Sequence, residues 1–314
     1  MENVHPGRIY PFTRLDARCT GRLDDIHHLC PELHAPILDG MRDATEAVVR
    51  PRTSAKATLD HAPTICAISV IAIMLSTMLH EGLGHAAVAI VTLHASGTLT
   101  SLAWSSSYDS RLVMAGGTIV NLIAGFVFWL LLRAAKNSRP SVRFFFLISM
   151  AFNLLAGTGY FFFSGVSNFG DWAGVIQGLH PHWLLRVALV VVGVASYYGA
   201  IVLVGVSTVR YMGVEVSDAR RFRRLLWVPY FAALIIDGIA GVFNPFGWQY
   251  VFLSALAATA GGNCGLLWLR YYLPKRLQPG ERAAISRSYA WIAVAAVLAA
   301  VFVVVFGPGV HLQG

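Results

Sequence analysis

Charge is scarce in this sequence. Only 13% of its 314 residues are Asp, Glu, Lys or Arg, against roughly 25% in an average soluble domain. A soluble domain of this length needs more polar surface than that, so an ordinary cytosolic enzyme and a disordered chain are both excluded. Cysteine is scarce too. Cys19, Cys30, Cys66 and Cys264 are too few and too scattered for a disulfide framework. Cys19, His27, His28, Cys30 and His34 lie near one another but match no standard zinc-finger spacing. The first 60 residues lack the apolar stretch of a secretory signal. No repeat of fixed period is visible, so an inverted-repeat transporter is not supported.

What the chain has instead is apolar sequence: 56% hydrophobic residues and a mean hydropathy of +0.61. The formal net charge of +8 does not mark a nucleic-acid binder. Residues 1–60 carry eight basic and nine acidic residues, and the other sixteen basic residues sit with seven acids in the apolar part. That is the charge pattern of a multi-span membrane protein. A span needs ~20 apolar residues, and seven runs qualify: 64–92, 112–132, 144–166, 184–209, 225–243, 250–269 and 289–307. Basic residues fill every second connection: Arg50, Arg52 and Lys56 before the first run, Arg133–Arg143, Arg210–Arg224 and Arg270–Arg287 later. The positive-inside rule then puts the N-terminus in the cytoplasm and the C-terminus outside. The expected fold is an all-α polytopic membrane protein of about seven transmembrane helices, placed in a bacterial cytoplasmic membrane with lipids as partners. A polar, disordered tail (1–60), loosely helical near Leu38–Val49, precedes a core (61–175) and additional helices (176–314).

Two connections are more than loops. Residues 98–105 read as one short membrane-edge strand, with Thr98, Thr100, Leu102 and Trp104 on one face. Residues 168–182 are half apolar and too short to span, which suits a re-entrant or interfacial segment. The first run contains His80-Glu81-Gly82-Leu83-Gly84-His85. A charged group at the bilayer centre costs ~2.5–3.5 kcal/mol, so such residues mark function by default. A divalent metal offsets that cost by taking imidazole nitrogen and carboxylate oxygen as ligands. A hydrogen-bonded polar cluster between helices is the alternative.

HEGLGH resembles the H-E-x-x-H motif of the site-2 protease family, zinc intramembrane metalloproteases. The resemblance covers residues 64–175. Gly117-Thr118-Ile119-Val120-Asn121 stands where that family has a G-P-x-x-N-like stretch, and Asn153-Leu154-Leu155 precedes Gly170-Asp171-Trp172 where it supplies an aspartate ligand. The resemblance implies zinc held by His80, His85 and Asp171, with Glu81 as catalytic base. It implies a transmembrane polypeptide as substrate, contacted by Asn121 and Asn153, with residues 98–105 adding a strand to it. Asn121 and Asn153 equally suit interhelical hydrogen bonding. Asp237 in the fifth run is the alternative third ligand. The family is described with its site nearer the cytosol, whereas the charge bias here puts the motif nearer the outer face.

The histidines are five apart rather than four. On a regular α-helix residues i and i+4 lie about 40° apart, but i and i+5 about 140°. Three arrangements are open. A π-bulge absorbs the extra residue, helped by Gly82 and Gly84; or Glu81 and His85 form the ligand pair; or no metal binds and the chain is a membrane scaffold or assembly factor on a protease-like fold. The bulge is the preferred reading. Intramembrane aspartyl and serine proteases fit less well. Asp109 sits among serines in a wet loop, and Ser164-Gly165 lacks the glycine two residues before the serine.

Overall fold

A computed structural model describes residues 59–106, 108–247 and 257–314. Residues 1–58 of the tail, with the loose helix and the Cys/His group expected there, lie outside the described residues, whereas Asp60, assigned to that disordered tail, is buried in the bundle. Thr58–Gly314 packs as one compact unit, so residues 61–175 and 176–314 are two parts of a single bundle. In order, the chain forms α1 (Ala62–Leu93), β1 (Gly97–Leu99), β2 (Trp104–Ser106), α2 (Arg111–Ala134), α3 (Pro140–Ser167), α4 (Asp171–Ile176), α5 (His182–Met212), α6 (Ala219–Val242), α7 (Ala257–Asn263), α8 (Gly265–Trp268), α9 (Tyr289–Phe306) and β3 (Val310–Leu312). Among the described residues, six helices are long and apolar enough to cross a membrane: α1, α2, α3, α5, α6 and α9.

Local chemistry sets the helix starts. His61 caps α1 by accepting from the Thr64 N–H, with Pro63 in the first turn. Ser110 and Asp218 accept in the same way from Val113 and Arg221 at the starts of α2 and α6. The core centres on α3. Phe144, Leu147, Ile148 and Phe152 are fully buried, against Ile65 and Ile68 of α1, Ile201 of α5 and Phe222 of α6. By contrast only 11% of α9 is buried, and Val297 and Val304 point outward, as do Val191 and Val194 of α5. Apolar helices exposed in this way have their outer faces matched to lipid rather than water. The chain is therefore built as a helical membrane protein.

The bundle has two chemically distinct ends. At one end, Asp60 and Arg221 form a buried ion pair at 2.8 Å. Asp60 also accepts from the Ile285 N–H, and Arg221 donates to the carbonyls of Gly213 and Ala283. The network joins the starts of α1 and α6 to the segment that leads into α9. At the other end lies a three-stranded sheet in the order β2-β1-β3, antiparallel throughout. Asn244, just past α6, donates to Thr100 there, and the Ser101 N–H donates to the Phe306 carbonyl. Helices α1, α6 and α9 thus run in the same direction, from the ion-pair end to the sheet end.

Two expectations need correction. Residues 98–105 are not one strand but a hairpin, because Thr100 Oγ1 accepts from the Leu102 and Ala103 N–H groups and closes a tight turn. The run 250–269 lies partly outside the described residues. Its described part is the short helices α7 and α8 rather than one continuous span. Residues 168–182, expected to be re-entrant or interfacial, contain the six-residue α4, which packs on α2 with Gly174 against Met114.

Candidate metal centre

The backbone of α1 changes pitch at the histidine motif. Leu79–Ala86 is π-helical, so residues five apart stack over one another. His80 and His85 therefore share a side, with ring centroids 4.8 Å apart and edge-on. Helix α2 crosses at this turn at backbone distance. A Cβ on Gly84 or Gly116 would collide with backbone of the other helix, the close approach that small residues permit between membrane helices. Gly117 faces the imidazoles. A Cβ there would lie 2.5 Å from His85 Nε2 and 2.6 Å from His80 Nε2, so the glycine keeps a space open between the rings and α2.

The third group arrives from beyond α3. Asn168 (φ 53°) and Gly170 (φ 84°) turn the chain sharply, and Asp171 enters the space. Its Oδ2 lies 3.1 Å from His80 Nε2 and 3.5 Å from His85 Nε2. Tetrahedral ligands placed 2.0–2.1 Å from zinc stand roughly 3.3–3.4 Å apart, and the two observed separations bracket that value. One ligand atom from each of the three residues lies within 4.8 Å of the others. His80 Nε2 and Asp171 Oδ2 are buried, and neither makes a directed hydrogen bond. Burial alone would push the Asp171 carboxyl up, but with no metal present the imidazoles of His85 and His80, when protonated, outweigh it and hold the group below the usual carboxylate range. Two imidazoles and an ionised carboxylate form a donor set suited to zinc. An N₂O set of this kind leaves a fourth position for water or substrate.

Outer contacts orient the ligands. His85 Nδ1 lies 2.7 Å from the Val113 carbonyl, so Nδ1 carries the proton and Nε2 is left bare. His80 Nδ1 lies 3.2 Å from the Asn121 amide. As placed, the Asn121 amide nitrogen, Nδ2, faces Nδ1; the amide turned end for end would accept the Nδ1 proton and leave His80 Nε2 bare. Tyr160 stacks on the His80 ring at 5.0 Å. Glu81 lies beside the group but apart from it: Oε1 is 4.0 Å from His80 Nε2, and Oε2 accepts from the Trp104 N–H at 2.8 Å. The hairpin thus holds the carboxylate.

The structure brings His80, Glu81, His85, Asp171 and Asn121 together. Asn153 is buried in α3 and donates to the Ser149 carbonyl of its own helix. Asp237 is not in the group; it accepts from the Thr259 hydroxyl at 2.6 Å. Three contributors escape a sequence reading, the Val113 carbonyl, the Trp104 N–H and Tyr160, and Gly117 figures there only as the start of the stretch that ends at Asn121. The Gly116-Gly117 pair inside an apolar run was the one available signal, since paired small residues mark close helix crossings. No family model, curated protein or solved structure matches this chain.

Proposed function

We propose that this chain is a zinc-dependent intramembrane metallopeptidase of the site-2 protease type. Its substrate is a membrane-embedded or membrane-edge polypeptide. The observation that carries the proposal is the meeting of His80, His85 and Asp171 beside Glu81, in a space that Gly117 leaves open. When bound, zinc supplies a Lewis acid that polarises a carbonyl and makes water a competent nucleophile near neutral pH. The chain's own residues do the rest. His80, His85 and Asp171 hold the ion, and Asn121 and Val113 fix which ring nitrogens face it. Glu81, steadied by the Trp104 N–H, takes a proton from the attacking water and returns it to the leaving amine. Strand β1 is flanked by β2 and β3, so an extended substrate adds at β2, on the Glu81 side.

Seven crossings are part of the proposal. Helix α6 ends at the sheet end and α9 begins at the ion-pair end, so the chain returns between them. The return is staged along α6: Thr259 bonds Asp237, Ala260 bonds Tyr230, and Leu267 bonds Trp227. The broken segment that includes α7 and α8 is the sixth crossing. The ion-pair end, rich in arginine, then faces the cytoplasm, and the metal centre lies toward the outside. The test is zinc-loaded protein in lipid nanodiscs with a pool of quenched-fluorescence transmembrane peptides. Wild type cleaves a subset, and Glu81→Gln keeps its zinc but loses at least about 10²-fold in rate. Zinc without hydrolysis would mean a structural metal site, and absence of zinc would favour the scaffold alternative.

A further inference from the structure

A polar space opens off the metal centre and shares His80, Glu81 and Asn121 with it, but its far wall has no part in the scheme above. It is a chamber of about 60 Å³ walled by His80, Glu81, Ser101, Asp237, Thr259 and Asn263, among others. It therefore lies between α1, the hairpin turn, α2, α3, α6 and α7. By volume it holds a few water molecules or one small head group.

Three buried oxygens of its lining residues have no hydrogen-bond partner among the described residues. Asp237 is 2% exposed. Its Oδ2 accepts from the Thr259 hydroxyl, and Oδ1 has no partner among the described residues. Asn263 is 1% exposed. Its amide nitrogen donates to the Thr259 carbonyl, which fixes the flip and leaves Oδ1 bare. Ser101 Oγ is buried and also unpartnered among the described residues. Among the described residues, no Lys or Arg lines the chamber. A carboxyl group set at membrane depth without a cation is costly and marks a functional site. What the walls lack, among the described residues, is a cationic donor; Asn121, Tyr160 and Ser76, which also line the chamber, offer only neutral groups. A primary ammonium carries three donors and no acceptor, which matches Asp237 Oδ1, Asn263 Oδ1 and Ser101 Oγ in number and kind.

We propose that this chamber is a specificity subsite that takes a lysine side chain of the polypeptide substrate, with Asp237 as its anchor. The proposal rests on the peptidase reading for its context. Because the chamber shares His80 and Glu81 with the reacting centre, the lysine lies close in sequence to the bond that is cut. Asp237, in this account, selects and positions the substrate and takes no part in the proton transfers.

The test is a binding measurement, so that it does not depend on turnover. Full-length protein in nanodiscs is titrated with labelled transmembrane peptides that are identical except for one residue, Lys, Gln or Leu, stepped along the peptide. In one register the Lys peptide binds at least about ten-fold tighter than the Leu peptide. Asp237→Ala removes that preference and leaves the Leu peptide's Kd unchanged, and Asp237→Asn brings Lys down to the level of Gln. Equal binding of the three peptides by wild type in every register overturns the proposal, whether or not either variant folds. So does a Lys preference that survives Asp237→Ala. A preserved preference without cleavage counts against the peptidase and leaves the subsite standing.

Discussion

At the scale of single residues, the centre depends on an atom that is missing. Gly117 gives the rings of His80 and His85 room to aim at a common point, and a methyl group there would meet both Nε2 atoms. Gly117→Ala should weaken zinc binding by at least about ten-fold, since overpacking a tight site costs about 1–3 kcal/mol; titration with a competing chelator measures it. Asn121→Leu should cost 10- to 100-fold in metal affinity, the usual range for losing a partner of a ligating histidine. It should leave the helical circular dichroism unchanged. The ligand candidates themselves are legible in sequence, because His80, Glu81 and His85 interrupt an apolar run where polar groups are expensive. The Val113 carbonyl and the Trp104 N–H are not, because a backbone group carries no residue type. Gly117 is ambiguous on its own, because its meaning depends on which side chains lie across from it.

At the scale of elements, the extra residue in the histidine motif is absorbed by the π-helical stretch Leu79–Ala86. Leu83 in that stretch is 53% exposed, so it holds no ligand and can be removed. Deleting Leu83 should restore α-helical pitch, place the histidines four apart on one face and retain at least most of the zinc, as read by metal analysis. Loss of all metal would mean that the π geometry serves another purpose. The hairpin follows the same logic. A pattern of alternating Thr98, Thr100, Leu102 and Trp104 suits one strand, but a single hydroxyl redirects it: Thr100 Oγ1 satisfies two N–H groups and turns the chain back. Thr100→Val should cost about 1 kcal/mol or more and, by releasing the Trp104 N–H from Glu81, slow peptide cleavage with zinc content unchanged. The run 250–269 is apolar enough to suggest a span. Gly261, Gly262 and Asn263 lie where α7 ends, and glycine inside a helix is unfavourable, so hydropathy alone overstates its continuity.

At the scale of the whole molecule, the metal centre sits toward one end of the bundle, and a buried ion pair holds the other. Asp60 and Arg221 are 161 residues apart in sequence and almost fully buried. Removing one partner strands a buried charge, so Arg221→Met should lower stability by about 3–5 kcal/mol. A fall in thermal midpoint in detergent, with zinc stoichiometry unchanged in the folded fraction, checks this. The six long helices could be read from hydropathy, as could the alternation of basic connections. The pairing of Asp60 with Arg221 could not, because nothing in a linear pattern tells which of many arginines turns inward. The account as a whole stands on one cation held by three side chains from α1 and α4. Its most direct measurement is the zinc content of the purified protein, wild type against His85→Ala, with X-ray absorption to count nitrogen and oxygen ligands. The account predicts about one zinc per chain in a two-histidine, oxygen-completed shell, lost in the variant. Wild-type protein that stays free of metal after exposure to zinc, or zinc retained undiminished by His85→Ala, would contradict it.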